Sequence, residues 1–323
     1  MSSVKYASAV AAVRAMESSL LSQSDMEAMA NAAGFRDVAG ILASSGRRVP
    51  EEYDELLGSL EKELCEIWEM ISGYAPDCNE LEILLYRNNF HNLKAALKAL
   101  IMNENPESIF VSPTTLELDR LTEIVSSKSY EELPEYMRGA AEDAYTILTK
   151  SLDGQLAEVV IDTACLEAMK SSAKKSGSRL MMKYADLTAA LSDIKTAYRC
   201  SIMNKTDSFM QLAVCGSSGL DRESLIRAAL GGADNLLSYL DGTHFAEAAE
   251  KLRESTAAFE KWCDDELLSV FDEAKMQSFG AAPLAAYFAA KETEIKNLRI
   301  LLVCKNCGAA KETIMERMRR LYV

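Results

Sequence analysis

The chain has 323 residues, of which 49% are apolar, and only 15 glycines and 6 prolines. That is enough apolar side chain to bury a core, so global disorder is excluded, and the bias toward Ala, Leu, Glu, Lys, Met and Arg favours helices. A net charge of −14 excludes a general nucleic-acid binder and broad adhesion to an anionic bilayer, since both call for a basic footprint. The first segment, Tyr6 to Leu21, sets Val10, Val13, Leu20 and Leu21 against Arg14 and Glu17. It reads as an amphipathic helix rather than a signal peptide. A second helix is expected from SQSDMEAM, with Ser24 or Asp25 as cap, Glu27 in the first turn and Gly34 marking its end. GRRVP (46–50) reads as a loop. A long helix from about Glu51 to Ile71 carries Leu56, Leu57, Leu60, Leu64, Trp68 and Ile71 at helical spacing. After SGYAPDCN come one or two helices over 80–103, and then a break between Pro106 and Pro113. Helices are expected over 116–126, from Tyr136 to about Ser171, from Arg179 to Asn204, and from Asp221, His244 and Ala281 onward, the last running to the end of the chain. Interruptions fall at 174–178 and at Gly216 and Gly219. No strand block is evident. No apolar run reaches the roughly 20 residues a membrane span needs, so an intracellular protein, soluble or peripherally attached, is expected.

One helix recurs. Asn92-Leu93-Lys94 opens NLKAALKALIMN, Asp193-Ile194-Lys195 opens DIKTAYRCSIMN, and Glu294-Ile295-Lys296 opens EIKNLRILLVCK, with lysines 101 residues apart both times. A second basic residue follows at Lys98, Arg199 and, one position early, Arg299. Ile101-Met102-Asn103 recurs as Ile202-Met203-Asn204, opposite Val303-Cys304-Lys305 in the third copy. Leu93, Leu97 and Leu100 form an apolar stripe, matched by Ile194, Tyr198 and Ile202, and by Ile295, Leu298 and Leu302, with each lysine at the stripe's polar margin. Units this long suggest a pseudo-threefold or solenoid-like architecture. The repeat period and the proline break place three helical domains at 1–105, 106–207 and 208–323, the N-terminal helix being free to pack with another of them.

Catalytic chemistry finds little support. His91 and His244 are the only histidines, and Asn88 and Asp241, not Glu, stand three residues before them, which excludes the pairing of a di-iron bundle. Cys304-x-x-Cys307 is a single half-site without a second pair at zinc spacing, and its bland reading puts Cys304 in the core and Cys307 near the helix end. No phosphate-binding glycine motif and no nucleophile elbow occurs. Acidic clusters such as Asp264-Asp265-Glu266 read as solvated faces or helix-start charges. The eight cysteines read as reduced thiols. The basic end, MERMRRLYV, reads as a last helical turn or a partner surface.

Pro283-Leu284, Tyr287, KETEIKNLR (291–299), Lys305, Gly308 and the closing IMERMRRLYV resemble the C-terminal pattern of the C subunit of the V/A-type rotary ATPases, the counterpart of the eukaryotic vacuolar d subunit. Tyr6 with AVRAMESSLL resembles that family's first helix, and FHNLKAALKA (90–99) and SDIKTAYR (192–199) its internal motifs. Asn88-Asn89 stands where the family often has an acidic residue, and SSGRRVP replaces its usual Tyr-Gly turn. The resemblance implies an all-α fold of three similar domains around a pseudo-threefold axis, funnel-shaped. It implies a non-catalytic central-rotor adaptor, without cofactor, metal or small-molecule substrate, that transmits torque for ATP-coupled proton or sodium transport. The partners it implies are the central shaft subunits of D and F type and the proteolipid ring, with no transmembrane span of its own and a peripheral place on the cytoplasmic side of the membrane. In that setting Lys94, Lys98, Lys195, Arg199, Lys296 and Arg299 either contact the shaft or brace neighbouring helices by salt bridges. A general helical-repeat scaffold for another protein partner is the alternative, and a helical-bundle metal or redox protein using Cys304 and Cys307 a third reading.

Overall fold

The computed structural model describes residues 3–50 and 52–323, and every regular element among them is helical. The only strand-like contact among the described residues is an isolated bridge between Ser217 and Leu220. Near the N-terminus, α1 (Ala7–Glu17) turns Ala9, Val10 and Val13 inward. The next helix, α2 (Gln23–Asn31), is capped by Ser22 rather than by Ser24 or Asp25. The Ser22 hydroxyl accepts the Asp25 N–H while the Asp25 carboxylate accepts the Ser22 N–H, so two otherwise orphaned donors are satisfied together. Beyond Gly34 lies α3 (Phe35–Ser44), a helix that the apolar spacing did not announce. The long α4 (Tyr53–Tyr74) buries the anticipated Leu56, Leu60, Leu64, Trp68 and Ile71; Glu51, its expected start, lies outside the described residues.

The chain continues through α5 (Tyr86–Met102), α6 (Leu118–Ser127), α7 (Glu135–Lys150), α8 (Gly154–Ser176) and α9 (Arg179–Ile202). The long helical region expected from Tyr136 consists of two helices. Leu152 takes a left-handed φ of 54°, and the Asp153 carboxylate then caps α8 by accepting the Leu156 N–H at 2.9 Å. Lys174 and Lys175 do not interrupt α8 but sit in its last turn, where positive charge suits the helix dipole; Gly177, with φ +69°, ends it. Short helices follow, α10 (Asp207–Ala213), α11 (Arg222–Leu230), α12 (Ala233–Asp241), α13 (Ala246–Glu254) and α14 (Thr256–Ser269). The chain closes with α15 (Ala282–Asn306) and α16 (Lys311–Arg317). It leaves the helix at Met318, so Arg319 and Arg320 do not occupy a last helical turn.

These elements form two compact units, one from residues up to Cys78 with Lys251–Val323, the other from Asn79–Glu250. In the first, α15 is buried nearly all round and packs on α1, α3 and α4. Leu284, Phe288, Leu298 and Leu301 are fully enclosed, and Trp68 meets Phe288 edge-on at 5.3 Å. The guanidinium of Arg14, held by Glu17, donates to the carbonyls of Ala274, Lys275 and Gln277 at 2.7, 3.0 and 2.9 Å, tying the first helix to the C-terminal segment. In the second unit α8 packs against α5, α7 and α9. Buried Ala140, Ala141 and Ala144 on α7 and Ala157 on α8 let those backbones approach closely, and the Tyr86 and Tyr136 rings stack at 4.1 Å. Each fully buried Leu or Ile, such as Leu93, Leu97 and Ile194, contributes about 1.5–3 kcal/mol. Ile202, expected on the second apolar stripe, is instead exposed in the last turn of α9, where Ala197 and Cys200 face inward.

Candidate functional site

Lys94, Lys98, Lys296 and Arg299 reach carboxylates on neighbouring helices of their own unit. On α5, Lys94 lies 2.5 Å from Asp162 and Lys98 pairs with Glu158, both on α8. On α15, Lys296 lies 2.5 Å from Asp264 of α14, and Arg299 lies 3.4 Å from Glu61 of α4. Lys195 and Arg199 stand on the exposed face of α9. Pairs as exposed as these stabilise by about 0–1 kcal/mol. Asp264 is the most enclosed of the partners. Burial opposes its ionisation, but Lys296 and Arg319 together outweigh that and hold its carboxyl below the usual value.

The buried residues of the repeat are the polar ones beside the lysines. Asn92 is 0% exposed, and its side-chain amide pairs with both backbone groups of Val111, at 2.9 Å each way. Asp193, 1% exposed, accepts the N–H groups of Cys215 and Gly216 at 2.8 and 2.7 Å. In the third copy the same bonds are made not by Glu294 but by Asn297, whose amide pairs with both backbone groups of Arg319 at 3.0 and 2.8 Å. Each of these residues thus clasps the chain where it returns past its helix.

The helix ends give the same register. Asn103, Asn204 and Gly308 each follow the clasp residue by eleven positions, and each takes the left-handed conformation. Just beyond, the N–H groups of Glu104, Lys205 and Ala309 close back on the carbonyls of Ala99, Cys200 and Cys304 at 3.0, 3.0 and 2.9 Å. The third copy is therefore displaced by three residues from the 101-residue register. Asn297-Leu298-Arg299 is the counterpart of Asn92-Leu93-Lys94, and Arg299 rather than Lys296 takes the place of Lys94. The Ile-Met-Asn echo is a helix ending in a left-handed Asn, and its third version is Asn306-Cys307-Gly308. Asn-Leu-Arg at 297–299 was the signal available in the sequence; the shared lysine spacing obscured it.

Glu294 belongs instead to a buried ionic cluster. It lies 2.8 Å from Lys291, pairs with Arg47 and accepts the N–H of Leu21, while Glu63 lies 2.9 Å from Lys291 and 3.3 Å from Arg47. Two cations and two anions from α15, α4 and the connection between α3 and α4 balance there. Burial, reinforced by the charges of Glu294 and Glu63, pushes the hydroxyl of Tyr287 well above the usual tyrosine range. At the basic C-terminus Arg317 is exposed, whereas Arg319 and Arg320 meet carboxylates. Arg319 lies 2.8 Å from Asp264, and Nη2 of Arg320 donates to both carboxylate oxygens of Asp272 at 2.8 Å while the Arg320 backbone N–H donates to Asp265 at 2.7 Å.

All eight cysteines are free, with Cys304 buried and Cys307 exposed. Among the described residues no group of three or more His, Cys, Asp and Glu is arranged to hold a metal ion, and no helix is long and apolar enough to cross a membrane. Fold and site define an all-helical protein organised by a recurring clasped helix. Over residues 9–317 the chain matches the ATP synthase (C/AC39) subunit family, and it belongs to that family. It is similar to the C subunit of the V-type sodium ATPase of Enterococcus hirae, 24% identical over 318 residues that cover 96% of this chain and 97% of the relative. It is similar also to the C subunit of the A-type ATP synthase of Methanocaldococcus jannaschii, at 21% identity covering 92% and 82%, and to that of Methanobrevibacter smithii, at 23% covering 84% and 76%. The chain is therefore a component of a rotary ATPase, as its sequence resemblance implies.

Proposed function

We propose that the chain is the non-catalytic rotor adaptor of a V/A-type ATPase or ATP synthase, seated on the cytoplasmic side between the central shaft and the proteolipid ring. The observation that carries this reading is the family match over residues 9–317, which spans both units rather than one of them. In this role three similar helical domains transmit torque, and the clasped helices α5, α9 and α15 supply their stiffness. The basic residues of the repeat, Lys94, Lys98, Lys195, Arg199, Lys296 and Arg299, then contact the shaft or brace their own helices.

Purification of the chain from native membranes, followed by identification of what travels with it, tests the assignment. Co-purification of D- and F-type shaft subunits and proteolipid is expected, and a complex lacking them refutes it. Replacing Lys94, Lys195, Lys296 and Arg299 by Met separates the two roles of the basic residues. Lost shaft binding with unchanged stability assigns contact, whereas unchanged binding with lowered thermal stability assigns bracing.

A further inference from the structure

Large apolar side chains are left exposed at one end of the second unit. Lys94 and Lys98 of α5 reach Asp162 and Glu158 of α8, so the two helices run antiparallel and α5 ends beside the start of α8. Lys205 donates to Gln155 at 2.6 Å, which brings the end of α9 to the same place, and the turn at Leu152 joins α7 to α8 there. Ile101 and Met102, Leu152, and Ile202 and Met203 thus share one end, with Leu152 78%, Met102 65% and Ile202 and Met203 each 57% exposed. The helix endings do not require them. In the third copy the positions of Ile101 and Met102 are held by Asn306 and Cys307, both exposed, and the helix closes in the same way. Leu152 stands in the left-handed conformation, φ 54°, which penalises its Cβ; Asn103 and Asn204, at φ 56° and 51°, take it with a side chain that tolerates it. An exposed leucine in that turn serves neither the core nor the backbone, and strain of this kind gathers where a partner uses it.

The charges at this end are already engaged. Lys98 pairs with Glu158, the Asp153 carboxylate caps α8, and Lys205 lies over the Phe209 ring at 4.8 Å as well as reaching Gln155. Those adjoining in the chain, Lys150, Glu104 and Asp207, are of mixed sign. No single-sign footprint faces outward, so neither a charged headgroup layer nor a strongly charged protein is complementary to it. A lasting pair of copies takes about 20–30 residues a side, so five side chains at a bundle end serve a partner that is also held to the chain elsewhere. We propose that this end of the second unit docks on an uncharged, apolar protein surface, which among the partners of the proposed function is the proteolipid ring, and that Met102, Leu152 and Met203 enter it. This rests on the reading of the chain as an adaptor on that ring and adds the surface by which it sits. Methionine suits the contact, because its flexible, polarisable side chain adapts to an irregular apolar surface.

Binding of the full chain to vesicles carrying the purified proteolipid ring, to vesicles of the same lipids without it, and to the purified shaft subunits tests this. Met102→Glu with Met203→Glu is expected to weaken binding to the ring vesicles about tenfold or more, because docking then buries two charges in an apolar contact, and to leave shaft binding unchanged. Leu152→Asn is expected to weaken ring binding while the thermal midpoint holds or rises, since Asn accepts the left-handed backbone. Ring binding that survives both substitutions overturns the proposal. So does loss of shaft binding in place of ring binding, or binding to the bare vesicles equal to that on the ring vesicles. An unaltered chain that binds neither ring nor shaft refutes the adaptor reading and the docking with it; an unaltered chain that binds both, with variants that bind the ring equally well, refutes the docking surface alone. Should the glutamate pair not fold, Leu152→Asn decides.

Discussion

Replacing Glu294 by Gln tests whether the buried cluster acts as a balanced unit. The substitution preserves volume and one acceptor oxygen but removes one of two negative charges, leaving Lys291 and Arg47 to share Glu63. The Glu294 and Lys291 side chains are only 2% and 4% exposed, so water cannot replace the lost partner. Breaking a buried pair from one side costs about 3–5 kcal/mol, whereas replacing the whole pair by apolar groups is often neutral. Glu294→Gln is therefore expected to lose about 3 kcal/mol. Glu294→Met combined with Lys291→Met is expected to lose much less, because the remaining Arg47–Glu63 pair at 3.3 Å is itself balanced. Tryptophan fluorescence during urea unfolding is the suitable assay, since both tryptophans, Trp68 and Trp262, lie in the unit that holds the cluster. A single variant that loses under about 1 kcal/mol, or a double variant as unstable as the single, refutes the reasoning.

Asn297→Ala and Asn92→Ala each leave a buried N–H and carbonyl without their partner and should each cost about 1–3 kcal/mol. Only the first should move the tryptophan-detected transition, while Asn92→Ala should shift unfolding followed by circular dichroism alone. Because its folded value lies below that of the unfolded chain, Asp264 contributes stability that is present above the ordinary carboxylate value of 3.8 and lost as the pH falls through the folded one. Removing Lys296 by substitution with Met should raise the midpoint of acid unfolding; an unmoved midpoint would show that Arg319 suffices.

The helical fold was legible because apolar residues recur at helical spacing over long stretches, as in α4 and α5, and because Gly and Pro are few. Helix boundaries were less so. Asp153 looks like any acidic residue until the chain turns at Leu152, and Ser22 competes as a cap with Ser24 and Asp25 until the backbone selects one. The repeat was visible through Lys94, Lys195 and Lys296, but equal spacing of a common residue type fixed the wrong register for the third copy. A lysine at a helix margin tolerates a shift of nearly one turn, whereas a buried amide facing a fixed stretch of backbone does not. Asn297 is therefore the better marker, and its partner Arg319 lies 22 residues away, beyond the reach of any periodicity argument. The inward-facing Arg319 and Arg320 were obscured for the same reason, since their carboxylate partners come from α14 and the segment that follows it.

If the chain transmits torque, its compliance is set by the contacts that shear under load, and the two sets of repeat residues differ there. Lys94 and Lys296 act through long side chains, the first on the exposed Asp162 and the second, itself exposed, on the partly enclosed Asp264, and such pairs deform at little cost. Asn92 and Asn297 act through short, enclosed side chains on two backbone groups at once, so displacing the returning chain breaks both bonds in a site with no water to replace them. In a reconstituted complex, Asn92→Ala with Asn297→Ala is therefore expected to lower the ions moved per ATP hydrolysed while leaving hydrolysis itself intact. Lys94→Met with Lys296→Met is expected to leave that ratio unchanged unless those lysines meet the shaft, in which case assembly is lost instead. Equal loss of coupling from both pairs, with assembly intact, would place the stiffness in the surface ion pairs and refute the role assigned to the clasps.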